Sequence, residues 1–101
     1  MTQDVVSALR VALDPADLRG LFPGELADRL RQIFAEVVRQ FAVTTLTLEQ
    51  RQAILDGCRS FYDQVIRPLD LPYVPAVVES IVDDWIWYGV ESVARKILQL
   101  A

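Results

Sequence analysis

The chain has 101 residues, ten of them basic and fourteen acidic, for a net charge of -4. It contains no histidine and a single cysteine, Cys58, which removes the commonest general base and metal ligand and rules out an intrachain disulfide or a multi-thiolate zinc site. Residues 1–50 and 51–101 each carry five basic and seven acidic groups, so there is neither a basic tract to follow a phosphate backbone nor a cationic face to hold a helix on an anionic bilayer.

The first predicted helix runs from about Asp4 to Leu13. Val5, Leu9 and Leu13 recur at four-residue spacing, with Val6 and Ala12 beside them. Asp14-Pro15 ends it, because the residue before a proline is driven out of helical geometry. Pro15 to Phe22 has room for a single turn before Pro23-Gly24 punctuates the chain.

The second helix, about 25–42, is strongly amphipathic. Leu26, Ala27, Leu30, Ile33, Phe34, Val37, Val38 and Phe41 share one face, and charged or amide side chains cover the other. The stretch from Val43 to Leu46 breaks the pattern and reads as a connector. Thr47, followed three residues later by Gln50, matches a capping box and opens a third helix, about 48–67. Its apolar stripe is Ile54, Leu55, Cys58, Phe61, Tyr62, Val65 and Ile66. Cys58 lies within that stripe and is expected to be a buried structural thiol.

Pro68, Pro72 and Pro75 fall within eight residues. A regular helix or central strand cannot hold them. Leu69, Leu71, Tyr73 and Val74 lie between them, so the segment 68–75 reads as a rigid, ordered strap against the helices rather than a flexible linker. Pro75 then suits the first turn of a fourth helix, about 76–98. At 1.5 Å per residue that helix is about 35 Å long, the longest in the chain. The sequence thus predicts one all-α domain: a small four-helix bundle-like unit with a rigid proline-rich connector before a long C-terminal helix.

The C-terminal helix carries the candidate site. On a wheel of about 100° per residue, Val78, Val82, Trp85, Ile86, Gly89, Val90, Val93 and Ile97 gather on one broad side. Ser80, Asp84, Glu91 and Arg95 gather on the other, with Trp87, Tyr88, Val77 and Leu98 nearer to them. Tryptophan and tyrosine are the side chains most enriched in interface hot spots. Trp87 and Tyr88, rimmed by Asp84, Glu91 and Arg95 and joined by Tyr73 of the strap, are the expected interaction residues. The alternative packs Trp87 beneath the strap and leaves Tyr88 half exposed. Gly89 costs helix stability, and close approach of another helix is the expected reason for it.

Catalytic, cofactor and metal sites are not expected. Glu79 and Asp83, four apart, share one helix flank, but a di-metal carboxylate bundle draws ligands from several helices and typically uses histidine. The serines and tyrosines lie in no nucleophile elbow, phosphate loop or dinucleotide fingerprint. The acidic start lacks the positive region of a signal peptide, and no apolar run approaches a membrane span, so cytoplasmic residence is the expectation.

An apolar fraction of 52% is high for a body with so much surface per volume. Together these readings predict a non-enzymatic protein-interaction or structural module that self-associates, or binds another protein, through its C-terminal helix. One alternative is a peripheral subunit docking on a membrane protein or larger complex. A weaker one is a carboxylate-based enzyme.

Overall fold

A computed structural model describes residues 2–42, 45–69, 71 and 74–100. Among them the fold is wholly helical, with no strand. The α-helices are α1 (Thr2–Ala12), α2 (Pro23–Phe41), α3 (Leu48–Phe61) and α4 (Glu79–Leu98). A 3-10 turn spans Pro15–Leu18, a π-helical turn Tyr62–Ile66 and a second 3-10 turn Ala76–Val78.

The local chemistry explains most boundaries. The Asp14 carboxylate accepts a hydrogen bond from the Ala16 amide at 3.0 Å and caps the first 3-10 turn. Pro23 starts α2, where its missing N–H costs nothing. At α3 the capping box is complete. Gln50 N–H donates to Thr47 Oγ1 at 3.1 Å, and Thr47 N–H donates to Gln50 Oε1 at 2.9 Å. Gln99 closes α4 in the left-handed region, at φ 56°.

One stretch departs from the regular helix that the sequence predicts up to residue 67. From Tyr62 the helix widens, and Arg67 N–H reaches back five residues to the Tyr62 carbonyl at 3.0 Å. Pro68 supplies the reason. It donates no hydrogen bond, and its ring crowds the carbonyl four residues earlier, so the preceding turn loosens. The widening sets the direction in which Tyr62 leaves the helix.

The four helices bury one continuous core. Val5 and Leu9 of α1, Leu30, Phe34 and Val38 of α2, Ile54, Cys58 and Phe61 of α3 and Ile86, Val90 and Leu98 of α4 meet in it. Phe34 and Phe61 make an edge-to-face contact with ring centres 6.0 Å apart. Helix α2 packs chiefly on α4, and α1 on α3 and α2. The body measures 43 × 27 × 18 Å. With helix axes about 8–10 Å apart in packed layers, an 18 Å thickness holds two layers, so every helix keeps one uncovered face.

Described parts of the connector pack inward. Leu71 is buried, Leu69 and Val74 rest on the core, and Leu71 N–H donates to Glu79 Oε1 at 3.0 Å. Glu79 therefore ties the end of the connector to the first turn of α4. Asp70, Pro72 and Tyr73 lie outside the described residues, so the expected rigid strap is seen only through its neighbours.

Gly89 does not mark a close approach of two backbones. A methyl group there would meet only the Arg31 side chain, at 3.4 Å and 3.5 Å. That side chain is flexible and half-buried. Gly89→Ala is therefore expected to stabilise the fold by about 0.5–1 kcal/mol, through helix propensity. Urea denaturation of the two proteins checks this, and a loss of stability would mean that Arg31 cannot give way.

Candidate functional site

Helix α4 has two faces of different character. Asp83, Ile86, Trp87, Val90, Ala94 and Leu98 point into the core. Their spacing of three and four residues is that of a helix packed along one stripe. On the opposite side Val77, Ile81, Trp85 and Tyr88 follow one another at spacings of four, four and three, with Val78 beside them. These side chains retain 86%, 65%, 57% and 69% of their accessible surface, and Val78 36%. Other large exposed apolar residues, Val11, Phe22 and Leu48, lie on other elements and do not extend this stripe.

The placement of the two tryptophans corrects the wheel reading. Trp87 is only 4% exposed and belongs to the core, whereas Trp85, expected inside, stands on the outer face. The core face is rotated by about a quarter turn from the predicted one. The cause is Asp83, which is buried although charged residues ordinarily mark an outer face.

The other expected interaction residues divide. Tyr88 is exposed. Asp84 is exposed beside the stripe, where Arg67 donates to it at 2.7 Å. Glu91 and Arg95 pair with each other along the helix at 3.4 Å. Tyr73 lies outside the described residues. Ile81, Val77 and Trp85 were not among the expected interaction residues, although the spacing of Ile81, Trp85 and Tyr88 is itself a visible signal in the sequence.

Beneath the stripe sits a polar centre. Tyr62 O–H donates to the Asp83 backbone carbonyl at 2.7 Å, and its ring lies 5.2 Å from that of Trp87. The guanidinium of Arg59 covers Trp87 at 5.2 Å, and that of Arg67 covers Tyr62 at 5.5 Å. Arg67 also donates to Asp63 at 2.7 Å. Burial pushes the Tyr62 hydroxyl well above its ordinary value, and the Asp83 charge adds to the effect. Burial likewise pushes Asp83 up to about 6; the Arg67 charge opposes that rise, and Glu79 and Asp84 add to it. Asp83 Oδ1 and Trp87 Nε1 are buried without a hydrogen-bond partner among the described residues.

Three surface hollows are lined by Ala42, Leu46 and Ile97 at one end of the bundle, by Arg31, Glu36 and Val93 between α2 and α4, and by Arg10, Leu13 and Phe61 near α1. Asp83 lines none of these three. No group of three metal-ligating side chains converges among the described residues. Among the described residues no helix is long and apolar enough to cross a membrane.

Cys58 is fully buried, and burial pushes its thiol up to about 12. A thiol held neutral and covered is a poor nucleophile. It is expected to resist a thiol-specific reagent in the native protein and to react stoichiometrically in denaturant. Rapid native labelling would show that the core opens readily. Compared with family models, curated proteins and solved structures, the chain finds no match.

Proposed function

We propose that the chain is a non-enzymatic protein-interaction module whose docking face is the outer stripe of α4. The observation that carries this reading is the exposure of Ile81, Trp85 and Tyr88 on one side of α4, continued by Val77 in the 3-10 turn that leads into it. Taking about 150–250 Å² for an aromatic residue and roughly 150–200 Å² for valine or isoleucine, these fractions together with Val78 leave on the order of 600 Å² of mainly apolar accessible surface in one strip. That is the upper end of the roughly 300–600 Å² seen for the largest patch on a monomer, and patches of that kind commonly mark binding sites. Aromatic anchors flanked by charge, here Trp85 and Tyr88 beside the Asp84–Arg67 pair, have the composition of an interface centre with a polar rim.

The total accessible area of the chain is 6019 Å², close to the roughly 5,800 Å² expected of a compact monomer of this mass. The body is therefore packed about as tightly as a monomer of this size.

A photo-activated cross-linking residue at position 81, in cells that naturally produce the protein, tests the reading. The control position is Val11, which is 90% exposed on α1. A discrete protein adduct from position 81 and none from position 11 is the expected result. Absence of any adduct at 81, or equal labelling from both positions, would sink the docking-face assignment.

A further inference from the structure

We infer that the occupant of this face is a second copy of the same chain, paired through α4 in antiparallel orientation about a two-fold axis near residue 83. The inference rests on the docking-face reading above and names its partner.

Area is the first argument. A stable protein–protein interface buries about 1,200–2,000 Å² in total. One stripe of on the order of 600 Å² meets that threshold when it faces another stripe of the same size. Two identical copies supply this with no surface that is not already present. An isologous contact of this kind also closes on itself, so that association stops at two chains.

The order of side-chain sizes along the stripe sets the orientation. The small residues Val77 and Val78 stand at its N-terminal end, Ile81 follows, and the large rings of Trp85 and Tyr88 stand at its C-terminal end. A parallel pairing puts ring against ring at one end and leaves valine opposite valine at the other. Reversing one copy sets Tyr88 against the valines and Trp85 against Ile81, large against small, which is how packed layers fill space.

Charge lies at the rim of this arrangement. A two-fold axis perpendicular to α4 brings the same edge of each stripe together. On that edge each copy holds Asp84 joined to Arg67 at 2.7 Å. Arg67 also pairs with Asp63, so each copy brings one arginine and two carboxylates to this rim, and the apolar stripe rather than the charge drives the pairing.

Light scattering across a dilution series from about 500 μM to 1 μM, a range spanning ordinary homodimer affinities, tests the inference. The expected mass is twice the 11.4 kDa of one chain at high concentration, falling toward 11.4 kDa on dilution. Ile81→Glu and Tyr88→Lys each place a charge in the seam on an exposed position, so both should be monomeric throughout with unchanged helicity by circular dichroism. Should one variant lose helicity, the other still decides. A wild-type chain that stays monomeric, or a dimer that survives both charges, overturns the inference. Orientation is read by oxidising a mixture of Ile81→Cys and Trp85→Cys chains. Disulfides joining 81 to 85 support the antiparallel pair, and disulfides joining 81 to 81 overturn it. In the cellular cross-linking experiment, adducts only with a different protein would overturn the second copy and keep the docking face. No adduct at all would remove both.

Discussion

Trp87→Ala is expected to lower stability by about 3–5 kcal/mol, the range for removing a buried aromatic side chain, whereas Trp85→Ala should change monomer stability by no more than about 0.5 kcal/mol. The two tryptophans are separated by one residue, so the contrast tests the rotation of α4 directly. Trp87 is 4% exposed, with its ring 5.2 Å from that of Tyr62 and Arg59 above it. Removing it leaves a cavity between α3 and α4 and uncovers the buried carboxyl of Asp83. Trp85 is 57% exposed and loses mainly contact with solvent. Urea denaturation should be measured at micromolar protein, where self-association does not contribute. Against a whole stability of about 5–15 kcal/mol for a typical domain, the Trp87→Ala loss is a large fraction and should be plain in the denaturation midpoint. A larger loss from Trp85→Ala than from Trp87→Ala would place the core face of α4 where the wheel reading put it.

Asp83 supplies the second large effect, and its sign is unusual for a carboxylate. Burial raises it from 3.8 to about 6, with Arg67 opposing and Glu79 and Asp84 reinforcing the shift. In the unfolded chain the group loses its proton near its ordinary value, so between the two values the folded state holds the extra proton. The stabilising contribution is complete below the unfolded value and is lost as pH rises through the folded one. A shift of about two units corresponds to roughly 3 kcal/mol by neutral pH. Asp83→Asn keeps the shape and removes the charge. It is expected to raise stability at about pH 7 by roughly 2–3 kcal/mol and to leave it nearly unchanged at about pH 4. Asp63 works in the opposite direction. Its partial burial alone would raise it, but hydrogen bonds from Arg67 and Arg59 and their charges bring it below its ordinary value. Its contribution is present above the ordinary value and disappears as pH falls through the depressed one. The difference between Asp83→Asn and wild type at each pH isolates Asp83, because Asp63 is common to both. A difference independent of pH would show that Asp83 is already solvated.

These two effects meet at one place. The π turn at Tyr62–Ile66 aims the Tyr62 hydroxyl at the Asp83 carbonyl, 2.7 Å away. Arg67, next after that turn, bridges Asp63 and Asp84, each at 2.7 Å. The first turns of α4 are thus held by polar contacts as well as by packing. The same contacts fix which side of α4 faces outward, and with it the stripe proposed as the seam between two copies.

What the sequence by itself determined is local. The period of Leu26, Leu30, Phe34 and Val38 requires a helix with one apolar face, and Thr47 with Gln50 marks where α3 begins. Pro15, Pro23, Pro68 and Pro75 punctuate the chain because a proline's constraints act on its own and neighbouring residues. The all-α class and the four helices follow from such short-range rules. Tertiary structure decided the rotation of α4. A wheel assigns faces by polarity and so treats Asp83 as an outer residue, whereas in the fold the Tyr62 hydroxyl bonds the Asp83 carbonyl, and Asp83 and Trp87 are buried together. Trp85, Ile81 and Val77 are left outside because the two-layer body, 18 Å thick, has no third layer to cover them. The cost of burying a charge depends on what surrounds it, and those surroundings come from residues distant in the chain, which no local pattern contains.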